Sequence, residues 1–243
     1  MKPSHSLRWF LAFFLAAVPW LLYPQPAKAE ESSVKIVGYH QDNTRVLLRK
    51  FSEGENEGGR YFSLSITVFH LEGKKVLQAF PIVTDEDVMH LLDMAPNVDL
   101  NRHPDVRRIR GQRWQQAEAQ LRRDGFVIDG SYPALPVQEN RRVDVPGLGA
   151  SIAFRERPLP EGLARPAEDL VITGMDRVMP LVAGYYQEVG LGDMAAVPRG
   201  YISNAYLSPD KKQIILLIGG YTWGQPSVLV YSLAELSRLI ARG

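Results

Sequence analysis

Seven arginines crowd one stretch of this chain: Arg102, Arg107, Arg108, Arg110, Arg113, Arg122 and Arg123 face only Asp105, Glu118 and Asp124, a local excess of +4. A guanidinium grips a carboxylate or phosphate through two parallel N–H donors, so such a cluster points to capture of an anion. Arg107, Arg108 and Arg110 are the candidate contacts. The competing reading is a solvated helix whose Val106, Ile109, Ala117 and Leu121 pack on a sheet, with arginines spread around its circumference. A second candidate is the loop Gly219-Gly220-Tyr221-Thr222-Trp223-Gly224. It lacks the Lys-Ser/Thr pair of a phosphate loop. Tyr221 and Trp223 at its tip suit recognition, because an amphipathic ring on a hairpin covers much area with few rotatable bonds.

Residues for catalysis are harder to find. No Gly-x-Ser-x-Gly elbow supplies a nucleophile, and no His-x-x-x-His or His-Glu-x-x-His supplies a zinc site. Asp87, His90 and Asp93 are spaced three apart and share a helix face, which reads as a polar face opposite Leu91-Leu92. Asn97-Val98-Asp99-Leu100-Asn101 begins like a calcium loop, but Arg102 and Arg108 stand where Gly and Glu are needed. The sequence therefore assigns no catalytic residue, no metal and no cofactor. An envelope hydrolase using Asp85, Glu86 or Asp87 is the alternative, and requires two carboxyls about 5–10 Å apart.

The chain has 243 residues and no cysteine, which removes disulfides, thiol chemistry and Cys-ligated zinc. Lys2 and Arg8 precede an uncharged run from Trp9 to Tyr23, followed by Ala27-Lys28-Ala29. A positive n-region, an apolar h-region and a small-x-small site predict a signal peptide over 1–29, cleaved after Ala29. The apolar run is shorter than a bilayer span and Pro19 interrupts it. Taking Lys2, Arg8 and Lys28 from the 28 basic residues leaves 25 against 27 acidic ones, a net charge of −2. That balance gives no support for nucleic-acid binding. The expected protein is periplasmic or secreted, with no transmembrane segment after cleavage.

The elements that must position these residues follow from pattern. Val34–Val37 and Arg45–Leu48 form a hairpin about Gln41-Asp42-Asn43-Thr44. Ser52 to Arg60 reads as a polar connection. Tyr61 to Phe69 alternates as a half-buried strand, and Gly73-Lys74 turns the chain into Val76–Val83. Thr84 opens a helix with Asp85, Glu86 and Asp87 at its positive end, Val88, Leu91, Leu92 and Ala95 as its buried stripe, and Pro96 as its stop. A second helix runs from Pro104 to Asp124, closed by Gly125. Ser131 to Pro166 is Pro- and Gly-rich and reads as loop with a strand at Ser151–Glu156. Strands follow at Leu170–Thr173, Val178–Val189, Tyr201–Leu207, Gln213–Ile218 and Ser227–Tyr231. A short helix begins at the Ser232/Glu235 box, with Leu233, Leu236, Leu239 and Ile240 on its apolar face. The expectation is a single α+β domain over 30–243, a mostly antiparallel sheet with a two-helix insertion within about 85–166 and a short C-terminal helix.

Tyr39–Leu48 aligns without gaps on Leu207–Leu216, each a strand, an Asp-containing turn and an apolar strand; coincident hairpin chemistry and a pseudo-repeat both account for it. Ser208-Pro209-Asp210-Lys211-Lys212-Gln213-Ile214 resembles the turn of TolB-type β-propeller blades. Gly38-Tyr39-His40-Gln41-Asp42-Asn43-Thr44-Arg45-Val46-Leu47, with the strand–Gly-rich loop–strand from Ile214 to Tyr231, is similar to a family of predicted secreted bacterial proteins carrying a domain of unknown function. Asn43 and Lys211 stand where that hairpin often has glycine. The resemblance implies a secreted protein without an assigned activity and brings no catalytic residues. From the residues, the expected function is a non-enzymatic binding module of the cell envelope, whose partner is an anionic envelope component or a periplasmic protein.

Overall fold

The computed structural model describes residues 31–56, 59–129, 132–157, 167–175, 177–182, 200–219 and 227–242. Four strands, β1 (Glu31–His40), β2 (Arg45–Asn56), β3 (Gly59–His70) and β4 (Lys75–Val83), form an antiparallel meander. Two helices follow, α1 (Asp85–Met94) and α2 (Pro104–Arg123), and β5 (Phe126–Ile128) then pairs beside β1. The alternation of β3 explains the packing: Phe62, Leu64, Ile66 and Val68 lie on one face, under Val88 and Leu91 of α1 and Val106, Ala117 and Leu121 of α2. Each such side chain withdrawn from water contributes about 1.5–3 kcal/mol. Gly38 is required where β5 meets β1, since a Cβ there would stand 2.5 Å from the Val127 carbonyl oxygen.

The second sheet contains β6 (Val137–Gln138), β7 (Arg142–Val145), β8 (Ala150–Arg157), β9 (Ala167–Gly174) and β10 (Arg177–Val182), paired antiparallel in the order β10-β9-β8-β7-β6. The third is β11 (Tyr201–Leu207), β12 (Gln213–Gly219) and β13 (Ser227–Ser232), followed by α3 (Leu233–Arg242). Ile214 to Ile218 is apolar without a break, as a strand buried on both faces must be. Ile215 and Leu217 pack against Val34, Ile36, Val46 and Leu48 of the first sheet. Ile214, Leu216 and Ile218 pack against Val143, Ile152, Leu170 and Ile172 of the second, with Leu236 and Ile240 of α3. The order of layers is therefore helices, first sheet, three-stranded sheet, second sheet. The protein is α+β and mostly antiparallel, and among the described residues no helix is long and apolar enough to cross a membrane.

Several local expectations are corrected. The Ser52–Arg60 connection is largely strand, because Phe51 packs edge-to-face on Phe62 at 5.4 Å and Glu53 pairs with Arg60 at 3.0 Å across the hairpin. The segment 131–166 contains the expected strand as β8, and also β6 and β7 where loop was expected; Val143 and Val145 alternate inward, and the Pro and Gly around 146–149 punctuate a hairpin. Ala95 is the exposed C-cap of α1 and not part of its buried stripe, and Leu239 is 39% exposed while Ile240 is buried. Ser232 N–H does donate to Glu235 at 3.4 Å, one half of the expected box. A buried ion pair escaped the pattern reading. Glu168, 4% exposed, receives Arg141 at 2.5 Å and the Gly200 N–H at 2.9 Å. Partners so far apart in sequence carry no local signal.

Candidate functional site

The arginine-rich segment folds as α2. Pro104 occupies its first turn, where a missing N–H costs nothing, and His103 accepts from the Asp105 N–H at 3.3 Å. Gly125 follows the helix with φ +88°, a left-handed conformation open to glycine, and a Cβ there would stand 2.8 Å from His40 Nε2.

Three of the seven arginines have structural duties. Arg113 grips Asp87 at 2.6 and 2.9 Å, while the Thr84 N–H and hydroxyl donate to the same carboxylate at 2.8 and 2.9 Å. Burial works to raise the Asp87 carboxyl, but these bonds together hold it below the usual range. Arg122 reaches Glu118 at 2.7 Å and the Ile128 carbonyl at 2.9 Å, and Arg123 donates to the Ala119 carbonyl. Arg102 lies 3.4 Å from Asp99, and Arg108 3.5 Å from Asp105, both exposed contacts of small energetic weight. Arg107, exposed, and Arg110, half-buried, make no side-chain hydrogen bond or ion pair among the described residues.

The three candidates do not form one patch. At about 100° per residue, Arg107 and Arg108 lie one turn before Gly111 and flank it, whereas Arg110 is displaced toward the face that meets the sheet. Tyr221 and Trp223 lie outside the described residues.

The pattern reading missed a ladder on the Gly111 side of α2. Trp114 Nε1 donates to Glu118 at 2.8 Å, and Glu118 accepts from Arg122 Nε at 2.9 Å. The Arg122 bond is the main reason the Glu118 carboxyl sits below its ordinary value, opposed by burial and helped by Trp114. Successive spacings of four were the available signal. The ladder leaves the half-buried Trp114 ring packed on the core with its orientation set.

The carboxylates weighed for hydrolysis are dispersed in role. Asp85 accepts the Phe62 N–H at 2.7 Å, Asp87 is saturated as above, and Glu86 is exposed. His90 and Asp93 are exposed too, and no cluster of three metal-ligating side chains occurs among the described residues. In the calcium-like loop, the Arg60 guanidinium already donates to the Pro96 and Val98 carbonyls, and Asn101 donates to Glu53 at 3.2 Å. Comparison of the chain with protein-family models, curated proteins and solved structures finds no match.

Proposed function

We propose that this protein is an exported, non-enzymatic binding module of the bacterial cell envelope, and that α2 presents its anion-facing surface. The observation that carries the reading is the division of labour on α2. Arg113, Arg122 and Arg123 serve the fold, while Arg107 and Arg110 have no partner among the described residues and Arg108 has only an exposed one. Cations held on a rigid helix without a compensating acid favour an anionic partner, either an envelope component or an acidic face of a periplasmic protein. The helical pair is read as an insertion in the antiparallel sheet, and Tyr221 and Trp223 are kept as separate candidate contacts. Export rests on the leader pattern at 1–29. The kinship to secreted proteins of unknown function stands on the Gly38–Leu47 hairpin.

The alternative of a carboxylate hydrolase is less favoured. Asp87 spends its oxygens on Arg113 and Thr84, Asp85 gives Oδ1 to a backbone amide, and Glu86 is exposed on the helix surface. A general acid needs a free oxygen aimed at substrate.

The test is a thermal-shift series with anionic lipid vesicles, lipopolysaccharide cores, peptidoglycan fragments and divalent metals. An anionic partner at ten times its Kd should raise Tm by roughly 3–6 °C, corresponding to about 1.4 kcal/mol. Replacing Arg107, Arg108 and Arg110 by Glu should abolish that rise and leave the circular dichroism unchanged. A rise that survives the triple replacement removes α2 from the function. Cell fractionation with N-terminal sequencing should find the chain outside the cytoplasm and beginning at Glu30.

A further inference from the structure

One edge of the three-stranded sheet is closed without a strand. At the β11–β12 turn the Ser208 N–H points inward to the Gln213 carbonyl, so Leu207 and Ala205 turn their backbone groups away from β12. Beyond the bulge at Ser203, Ile202 and Gly200 do the same. Each of these four residues meets a group from outside its sheet. The Tyr132 hydroxyl donates to the Leu207 carbonyl at 2.9 Å, and the Leu135 N–H to the Ala205 carbonyl at 2.7 Å. The Ile202 N–H donates to the Asn140 carbonyl at 2.7 Å. The Gly200 N–H donates to Glu168 at 2.9 Å, and its carbonyl accepts from Arg141 at 3.3 Å. Apart from Glu168, all of these groups lie within residues 132–141.

That segment is a poor strand. Pro133 and Pro136 have no N–H to give, and its pairing with β11 is reduced to a single bridge, Leu135 to Ala205. The half-buried Tyr132 ring stands 5.9 Å from both Tyr39 and Tyr206, and Leu135 and Val137 pack on the core between the second and third sheets. Pro133, Ala134 and Pro136 are exposed. The segment turns back into β7 through Glu139 and Asn140, both left-handed at φ 49° and 55°, with no glycine to ease the turn. Scattered bonds and a strained turn hold it less firmly than a continuous ladder would.

We propose that residues 132–141 form a strap that guards the edge of β11: it opens as one unit while the sheets stay folded, and its closure keeps β11 from pairing with a second copy of the chain. A bare strand edge is a template for another strand, and β11 without the strap would present one. The prolines suit a guard, because they let the strap occupy the edge without offering solvent a fresh row of N–H donors.

The experiment is residue-resolved amide hydrogen exchange by NMR, on protein purified from cells expressing the full chain. The Leu135, Gly200 and Ile202 amides should exchange at one shared opening rate. That rate should be at least roughly tenfold slower than for free amides, and at least roughly tenfold faster than for Ile215 and Leu217 in β12. Exchange of the three only together with β12, or at three unrelated rates, overturns the strap as an opening unit. Tyr132→Phe removes a bond at one end, and should speed Gly200 and Ile202 at the other end as much as Leu135. Acceleration confined to the neighbours of Tyr132 overturns the same claim. Leu135→Pro removes the bridging N–H. In sedimentation it should form concentration-dependent dimers whose Ile202 and Ala205 amides are protected again. Leu135→Ala, which loses side-chain packing but keeps the N–H, should sediment as the wild type does. A Leu135→Pro protein with native circular dichroism and no association beyond the wild type's overturns the guard. Tyr132→Phe at raised protein concentration puts the same question should Leu135→Pro fail to fold.

Discussion

Two hairpins in this molecule share one turn and lead different lives. In the β1–β2 turn, Asn43 has φ 62°, its N–H donates to the His40 carbonyl at 2.9 Å, and the Thr44 N–H donates to Asp42 Oδ1 at 2.8 Å. In the β11–β12 turn, Lys211 has φ 56°, its N–H donates to the Ser208 carbonyl at 2.8 Å, and the Lys212 N–H donates to Asp210 Oδ1 at 3.1 Å. The third strand even closes alike: Leu71 N–H bonds the Thr44 carbonyl, and Leu233 N–H the Lys212 carbonyl, both at 2.8 Å. The differences begin at the turn's first residue. Ser208 stays local, its hydroxyl bonded to Asp210 and the Gln213 N–H, whereas the His40 ring reaches the Asp124 carbonyl at 2.8 Å and ties the hairpin to the end of α2. The bulge also differs, falling at Val37 in β1 and at Ser203 in β11. Corresponding faces point the same way through the stack: Val46 and Leu48 meet the three-stranded sheet, and their counterparts Ile214 and Leu216 meet the sheet beyond it. This is head-to-tail packing, a repeated direction rather than a mirrored one. Turn chemistry is thus a local code, indifferent to what later covers the strands.

The comparison is broken most severely in the cores. Leu48→Ala and Leu216→Ala remove aligned, fully buried side chains, and each should cost about 2–5 kcal/mol in denaturant unfolding. A loss under 1 kcal/mol at either site would deny its burial between two sheets. Next is Gly38, whose aligned partner is the buried Tyr206: β5 crowds the first hairpin, whereas among the described residues the corresponding edge of the second meets an isolated bridge from Leu135 to Ala205. Gly38→Ala should cost about 1–3 kcal/mol, with amide exchange in Phe126–Ile128 accelerating first.

The turn aspartates should give smaller effects. Burial works to raise both carboxyls. At Asp42 the Thr44 amide, Arg45, the Thr44 hydroxyl and His40 hold the group well below its usual range, and at Asp210 Ser208 and Lys212 do so. A depressed folded-state pKa means stability that is complete above the unfolded value near about 4 and lost as pH falls toward the folded one. Asp42→Asn and Asp210→Asn should each flatten the acid limb of the stability curve below about pH 4, by no more than roughly 1 kcal/mol given the exposure of both groups. An unaltered acid limb would place the acid sensitivity elsewhere. The smallest change is the sharpest for the turns themselves. Lys211→Gly should stabilise by up to about 1 kcal/mol by relieving left-handed strain, and Asn43→Gly by less, because asparagine tolerates that region. The reverse order would mean the two turns are not equivalent.

Much was legible from the residues. The alternation of Tyr61–Phe69, the Thr84 start of α1, the Pro104 start of α2 and both Asp turns are local signals, and the elements lie where those signals placed them. The unbroken Ile214–Ile218 run marked a strand, but not which sheets would bury it. The site was legible only as a count of charges. Which arginines are engaged depends on Asp87 and the Ile128 carbonyl, brought up by α1 and β5, and no spacing along α2 announces them.

Sequence alone determined the periods, the caps and the turns, because each of those preferences is settled within a few residues of backbone and side chain. Tertiary structure alone decided the order of the layers, the burial of Glu168 against Arg141 and the saturation of Asp87. Those depend on contacts between residues tens of positions apart, whose free energy appears only once the intervening chain has been ordered.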